Sequence, residues 1–287
     1  MHNKLKRRFT WTAGILAGLI IMFSILVILL PTIITWYATS WLEEQGVNAS
    51  IEDISIELSN GQVRVKTFKA VGPEKHKIEL GEFFVQVHLR DLLDNKITIE
   101  KIQFADFYID VYQQLGKPTK IGGIVIGDPD AAKTEISEQQ NEPTAWEFVL
   151  KDIGFSNIKT CVNSHNQQGK PLYNDCLELG DLTWDGQFSY LLDTKANGKS
   201  GKLVTNLSFA LNNLRLHDTT DNKEVINIGS LHINDLAVDG LNNIKIKSVK
   251  FDDYKVLQRA KEDVERHTHV ANVEHITLTK LNINNLN

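Results

Sequence analysis

Cys161 and Cys176 are the only cysteines in a chain of 287 residues. Fourteen residues separate them, centred on Gln168 and Gly169. That symmetry predicts a hairpin turning near Asn166 to Lys170, with the two sulfurs brought face to face across its strands. Two free thiols are the alternative. A lone cysteine pair supplies no zinc framework, which needs three or four ligands at short spacings. His267, His269 and His275 form the one histidine cluster, but in the charged run ERHTH they read as solvated rather than as metal ligands. The neighbouring carboxylates Asp252 and Asp253, and Glu43 and Glu44, read as solvent-facing or helix-flanking. No GxSxG, P-loop, HExxH or dinucleotide-binding glycine pattern occurs. The sequence therefore assigns no catalytic, cofactor-binding or metal residue, and no enzyme and no cofactor are expected.

Charge shows what must position the remaining residues. The net charge is -5, yet Lys4, Lys6, Arg7 and Arg8 crowd residues 1–11, and the 31 residues from Thr12 to Leu42 hold no charge. The rest carries 27 bases against 36 acids, a balance that disfavours nucleic-acid binding. From Ala13 to Ile34 the chain is almost wholly apolar, and 22 residues at a rise of about 1.5 Å cross a hydrocarbon core. A cleaved signal peptide would have a shorter apolar region and a small-x-small site. The reading is a basic cytoplasmic tail at 1–11, a transmembrane helix at 12–34, an interfacial amphipathic helix at 35–46 and a body at 47–287. Bases before the span, and Glu43, Glu44, Glu52, Asp53 and Glu57 after it, keep the N-terminus cytoplasmic. Trp11 on one side and Trp36, Tyr37 and Trp41 on the other fit the two membrane interfaces. Pro31 predicts a bend, and Gly46 a helix stop. An exported body meets an oxidising compartment, which favours the Cys161–Cys176 disulfide.

Past residue 50 apolar residues alternate in runs whose phase slips once, at spacings 2-3-2. The spacing occurs at Ile78, Leu80, Phe83, Val85; Ile97, Ile99, Ile102, Phe104; Phe148, Leu150, Ile153, Phe155; Leu177, Leu179, Leu182, Trp184; Phe209, Leu211, Leu214, Leu216; Ile226, Ile228, Leu231, Ile233; Ile244, Ile246, Val249, Phe251; and Ile276, Leu278, Leu281, Ile283. It describes strands that kink once and then restore the same inward face. Starts at 177, 226 and 276 suggest a unit of about 50 residues and an elongated architecture. Residues 128–144 read as a flexible loop, 193–201 as a turn, and 253–267 as a short helix or connection. The last segment, HITLTKLNINNLN, leaves an open sheet edge.

The charged N-terminus, single span, WLEEQG, ISIELSNGQVRVKTFKAVGP and IELGEFFVQVHLRDLLDNKITIEKIQFADFYIDVY together resemble the N-terminal portion of the AsmA-like proteins of Gram-negative envelopes, within the chorein-like bridge-type lipid transfer superfamily. The resemblance continues through PTAWEFVLKDIGFSNIKTCV and covers most of residues 1–190. It implies an inner-membrane anchor, a periplasmic body, and a role in moving phospholipid or maintaining the outer membrane. The fold expected is mainly β, a transmembrane helix followed by an elongated, strongly curved antiparallel sheet, a U-shaped β-groove of repeated bent strands. Apolar strand rows usually fill a core; the resemblance favours instead a groove whose floor includes Ile78, Leu80, Val85, Ile97, Ile99, Leu177, Leu179, Ile226, Ile228, Leu231 and Ile233. The expected partners are phospholipid acyl chains, the inner membrane, and another envelope protein or further β repeats at the open edge. The competing expectation is a structural subunit joined to an envelope complex by strand addition, without lipid transfer of its own. About fourteen strands at ~4.8 Å would make too short a sheet for a complete conduit between membranes.

Overall fold

The computed structural model describes residues 28–126, 146–192, 202–220, 223–239, 243–257 and 269–284, together with Ile25. A helix over residues 28–44 runs through Pro31 without interruption, and the Thr35 hydroxyl donates to the Pro31 carbonyl at 2.9 Å. It stops at Gly46 (φ 75°), whose N–H bonds the Glu43 carbonyl at 2.9 Å. No helix among the described residues is long and apolar enough to cross a membrane. Most of the expected span, like the basic tail and Trp11, lies outside the described residues, as do 128–144, 193–201 and His267.

Among the described residues twelve strands follow: β1 (Asn48–Glu57), β2 (Gln62–Val71), β3 (Lys77–Val87), β4 (Lys96–Gln114), β5 (Thr119–Ile121), β6 (Ile124–Ile126), β7 (Trp146–His165), β8 (Pro171–Leu192), β9 (Lys202–Asp218), β10 (Lys223–Asp239), β11 (Asn243–Leu257) and β12 (His269–Asn284). They form one sheet, ordered β1-β2-β3-β4-β7-β8-β9-β10-β11-β12, with β5 and β6 as a hairpin beside β4. Ten strands in line make nine spacings, a sheet of about 43 Å. Residues 253–257, read from sequence as helix or connection, belong to β11.

Two features of the expected fold are corrected. The sheet is mixed, because β4 and β7 are parallel, Lys96 opposite Glu147 through Gln114 opposite His165. After β4 the chain doubles back twice in the β5–β6 hairpin, and β7 then starts beside the beginning of β4. The sheet is also neither closed nor strongly curled, so it is not the U expected from the resemblance. The reason lies in where the strands kink. Thr67, Asp106, Asn157, Asn213 and Asp253 are left-handed, with φ between 49° and 55°, and they fall on one line across the sheet with Gly81, Gly180 and Gly229. Neighbouring strands slip together there, so register is kept on either side. The result is a shared crease rather than a progressive coil.

A second crease runs parallel to the first. It passes Glu100 and Lys151, Asp235 (φ 50°) and Lys247, and Lys280 (φ 56°). True register shifts accompany it between Gln86 and Val87, Leu150 and Ile153, and Ile233 and Leu236. The eight sequence copies thus divide between two lines. Those starting at Ile78, Leu177, Phe209 and Ile226 straddle the first crease, and those at Ile97, Phe148, Ile244 and Ile276 the second. The spacing of about 50 residues from Ile226 to Ile276 therefore joins different creases.

Candidate functional site: an uncovered apolar face

Cross-strand partners share a face, and the register strings the apolar residues into rows. One row reads Ile54, Val65, Phe83, Phe104, Phe155, Leu182, Leu211, Leu231, Phe251 and Ile276, one residue from each of ten strands. Three more rows run beside it, through Ile78, Leu177 and Ile226; through Leu80, Leu179 and Ile228; and through Val85, Ile102 and Ile233. Thr160 is the one small polar residue in all four rows and Tyr254 the one phenol. Ring contacts carry the surface over the first crease, Phe104 to Phe107 at 6.5 Å and Phe251 to Tyr254 at 6.4 Å. Along the row Phe104 stacks on Phe155 at 5.2 Å and meets Phe83 as a tilted pair at 4.8 Å.

The structure thus gathers nine of the eleven residues expected for a groove floor into these four rows. Ile97 and Ile99 lie past the second crease, opposite Phe148 and Leu150. The rows are not a filled core. Of their members only Ala70, Leu211 and Val249 are buried, Leu177 and Leu278 are 43 and 45% exposed, and the others are half-buried. Apart from isolated contacts and a short helical turn at Leu89–Asp94 against β4, each described strand touches only its hydrogen-bonded neighbours, so among the described residues no second sheet covers the face. A continuous apolar face that no second sheet covers is the kind of surface that marks a place of interaction.

One end of this face is capped, which sequence reasoning missed. Leu42 at the helix end, Val47 and Ala70 are buried together, with Phe68, Ile78 and Ile124 packed against them. The β5–β6 hairpin reaches this cluster because Gly123 (φ 91°) lies against Gly72, where a Cβ on either would sit within 2.6 Å of the other's Cα. The Gly122 N–H also bonds the Asp110 carbonyl at 2.8 Å. The pairing of Gly72 with a distant Gly-Gly was the available signal. Upstream on the helix Trp36, Tyr37 and Trp41 are 66, 68 and 47% exposed.

The opposite face is polar. Lys159 donates to Glu178 at 2.8 Å and His217 lies 3.1 Å from the same carboxylate. The Lys159 hydrogen bond is the larger influence and, with His217, holds the Glu178 carboxyl below its usual range against the opposing effect of burial. Asp252 accepts from Ser230 at 2.9 Å and pairs with His275 at 2.5 Å, and His275 in turn lies 2.7 Å from the Thr277 hydroxyl. The expected hairpin is present on this face. Cys161 and Cys176 are directly opposed, their Cα atoms 4.1 Å apart, and joined as a disulfide. Asn166 caps the turn, its side chain accepting from the N–H groups of Gln168 and Lys170 at 3.0 and 2.8 Å.

No known protein family matches the chain, and a search of characterised proteins finds no relative.

Proposed function

We propose that the protein is a membrane-anchored, periplasm-facing AsmA-like protein of the inner membrane that holds lipid acyl chains on its open apolar face and assists phospholipid transport or outer-membrane maintenance. The observation that carries the proposal is the four-row apolar face, mostly half-buried and, beyond the end capped by Leu42 and Ile124, without a covering layer among the described residues. A hydrocarbon ligand needs that surface and no polar partner on it. Each methylene taken from water gains about 0.8 kcal/mol, so an acyl chain is held only where apolar rows run without interruption. The chemistry is passive, with no covalent step. The apolar span read from sequence and the exposed Trp36, Tyr37 and Trp41 support placing the capped end of the face at the bilayer.

Mass spectrometry of lipids retained by the detergent-purified chain, combined with a photo-crosslinking residue at Ile228 or Leu231 in cells, tests the reading. Trapped phospholipid is the expected result. No lipid adduct at any position in the rows would overturn it. The second reading, a structural subunit joined to its complex by strand addition, is supported by the outer edge of β12, with which no strand among the described residues pairs, and predicts protein adducts on that edge instead.

A further inference from the structure

Among the described residues no strand pairs with the outer edge of β12. At 16 residues β12 is longer than β1, the 10-residue strand at the other edge, which carries Glu52, Asp53 and Glu57. Between Ala271 and Asn282 β12 has one acid, Glu274, one ammonium, Lys280, and no proline. Such an edge is a template for another strand. Its pattern specifies which strand.

Glu274 and Lys280 are the positions at which the two creases cross β12, the first opposite Asp253 and the second opposite Lys247. Midway between them stands Thr277. We propose that β12 pairs antiparallel with β12 of a second copy of this chain about a two-fold axis through Thr277, joining two sheets into one path of twenty strands. In that register Glu274 faces Lys280 twice, Ile276 faces Leu278, Val273 faces Leu281, Asn272 faces Asn282 and His275 faces Thr279. Charge meets opposite charge, and each apolar residue from Val273 to Leu281 meets an apolar one. A slip of one residue sends the apolar set to the wrong face. A slip of two sets Glu274 against Leu278 in one direction and against Asn282 in the other, and either way parts it from Lys280.

The creases supply an independent restriction. At each antiparallel step along the first crease a left-handed residue stands beside one that is not: Thr67 beside Gly81, Gly180 beside Asn213, Asp253 beside Glu274. Asp106 and Asn157, both left-handed, meet only at the parallel seam. The second crease alternates likewise through Asp235, Lys247 and Lys280. A strand added to β12 must therefore bring a left-handed residue to Glu274 and one that is not to Lys280. The second copy's Lys280 and Glu274 do both. β1 contains no left-handed residue, so a head-to-tail β12–β1 contact continues only one crease. The axis stands normal to the sheet, a closed two-fold arrangement that leaves both apolar faces on the same side. The pairing stands whether or not that face binds lipid.

The test uses the full chain in detergent, prepared without reductant, with Cys161 and Cys176 occupied by their own disulfide. Thr277→Cys should oxidise to a species of twice the mass, because residue 277 faces itself. Asn272→Cys should not, since its two copies lie about 33 Å apart, whereas a mixture of Asn272→Cys and Asn282→Cys chains should crosslink. Glu274→Lys should weaken the dimer in sedimentation by about tenfold, and adding Lys280→Glu should restore it. Crosslinking of Thr277→Cys no better than Asn272→Cys, a monomer at every concentration, or exclusive crosslinking to a different protein would each overturn the proposal.

Discussion

The two ends of the apolar face carry the same kinds of residue in the same rows but differ in what lies over them. At β1–β3, Leu42 and Ile124 reach down from the helix and the hairpin, and Val47 and Ala70 are 1 and 0% exposed. At β10–β12 nothing described covers the rows, Ile226, Ile228 and Leu231 are half-buried, and Leu278 is 45% exposed. A hydrophobic row therefore does not reveal whether it is core or binding surface. The cover decides, and the cover comes from elsewhere in the chain.

The sharpest way to break this comparison is to put the same charge at both ends. Val47→Asp buries an unpaired carboxylate and should cost several kcal/mol, abolishing cooperative unfolding in denaturant. Leu231→Asp leaves its carboxylate hydrated at an uncovered surface and should cost less than about 1.5 kcal/mol while removing lipid crosslinks nearby. Equal losses of stability would show that the two ends are packed alike.

Between the ends, the disulfide pins the β7–β8 turn. Replacing Cys161 and Cys176 together by Ser should lower stability by about 3 kcal/mol, for a closed loop of this length, read as a shift in denaturant midpoint. The loss should match that caused by reductant in the native chain.

The crease can be set against a flat part of the sheet. A Cβ on Gly229 would come within 2.8 Å of the Asp253 Cβ, whereas one on Gly154 would meet nothing closer than 3.8 Å. Gly229→Ala should cost about 1 to 2 kcal/mol, and Gly154→Ala should be neutral or slightly stabilising. Thermal unfolding of the pair measures the difference.

The smallest effect belongs to the polar face. The folded-state pKa of Glu178 is lowered, so its contribution is present above the unfolded value and fades as pH falls through the folded one. With its side chain 35% exposed, the contribution is about 0.5 kcal/mol after solvent screening. Glu178→Gln should be the less stable protein by that amount at neutral pH, and the gap should close at pH values well below the ordinary carboxylate range.

Alternation and kinks were legible in the sequence because both are local. Ile226, Ile228, Leu231 and Ile233 carry their own phase slip, and the residues around Gln168 and Gly169 carry their own turn. The double crease was not legible, because Ile78 to Val85 and Ile97 to Phe104 obey one spacing rule while straddling different lines, and only the register separates them. The buried cluster was hidden for the same reason. Near Ala70 only Gly72, set against the distant Gly122 and Gly123, hints that the hairpin will cover it, and a row of half-buried residues has the composition of a core.

The parallel seam between β4 and β7 has a kinetic consequence. Every other neighbouring pair on the ten-strand path is an antiparallel pairing of consecutive strands, formed between segments close in the chain, whereas Lys96 meets Glu147 across 51 positions. β1–β4 and β7–β12 can each zip up hairpin by hairpin. Their union must first close a long loop before any contact repays the entropy. Refolding should accordingly show two early phases followed by a slower one that reports on Phe104 meeting Phe155, and shortening residues 127–145 should hasten only the last.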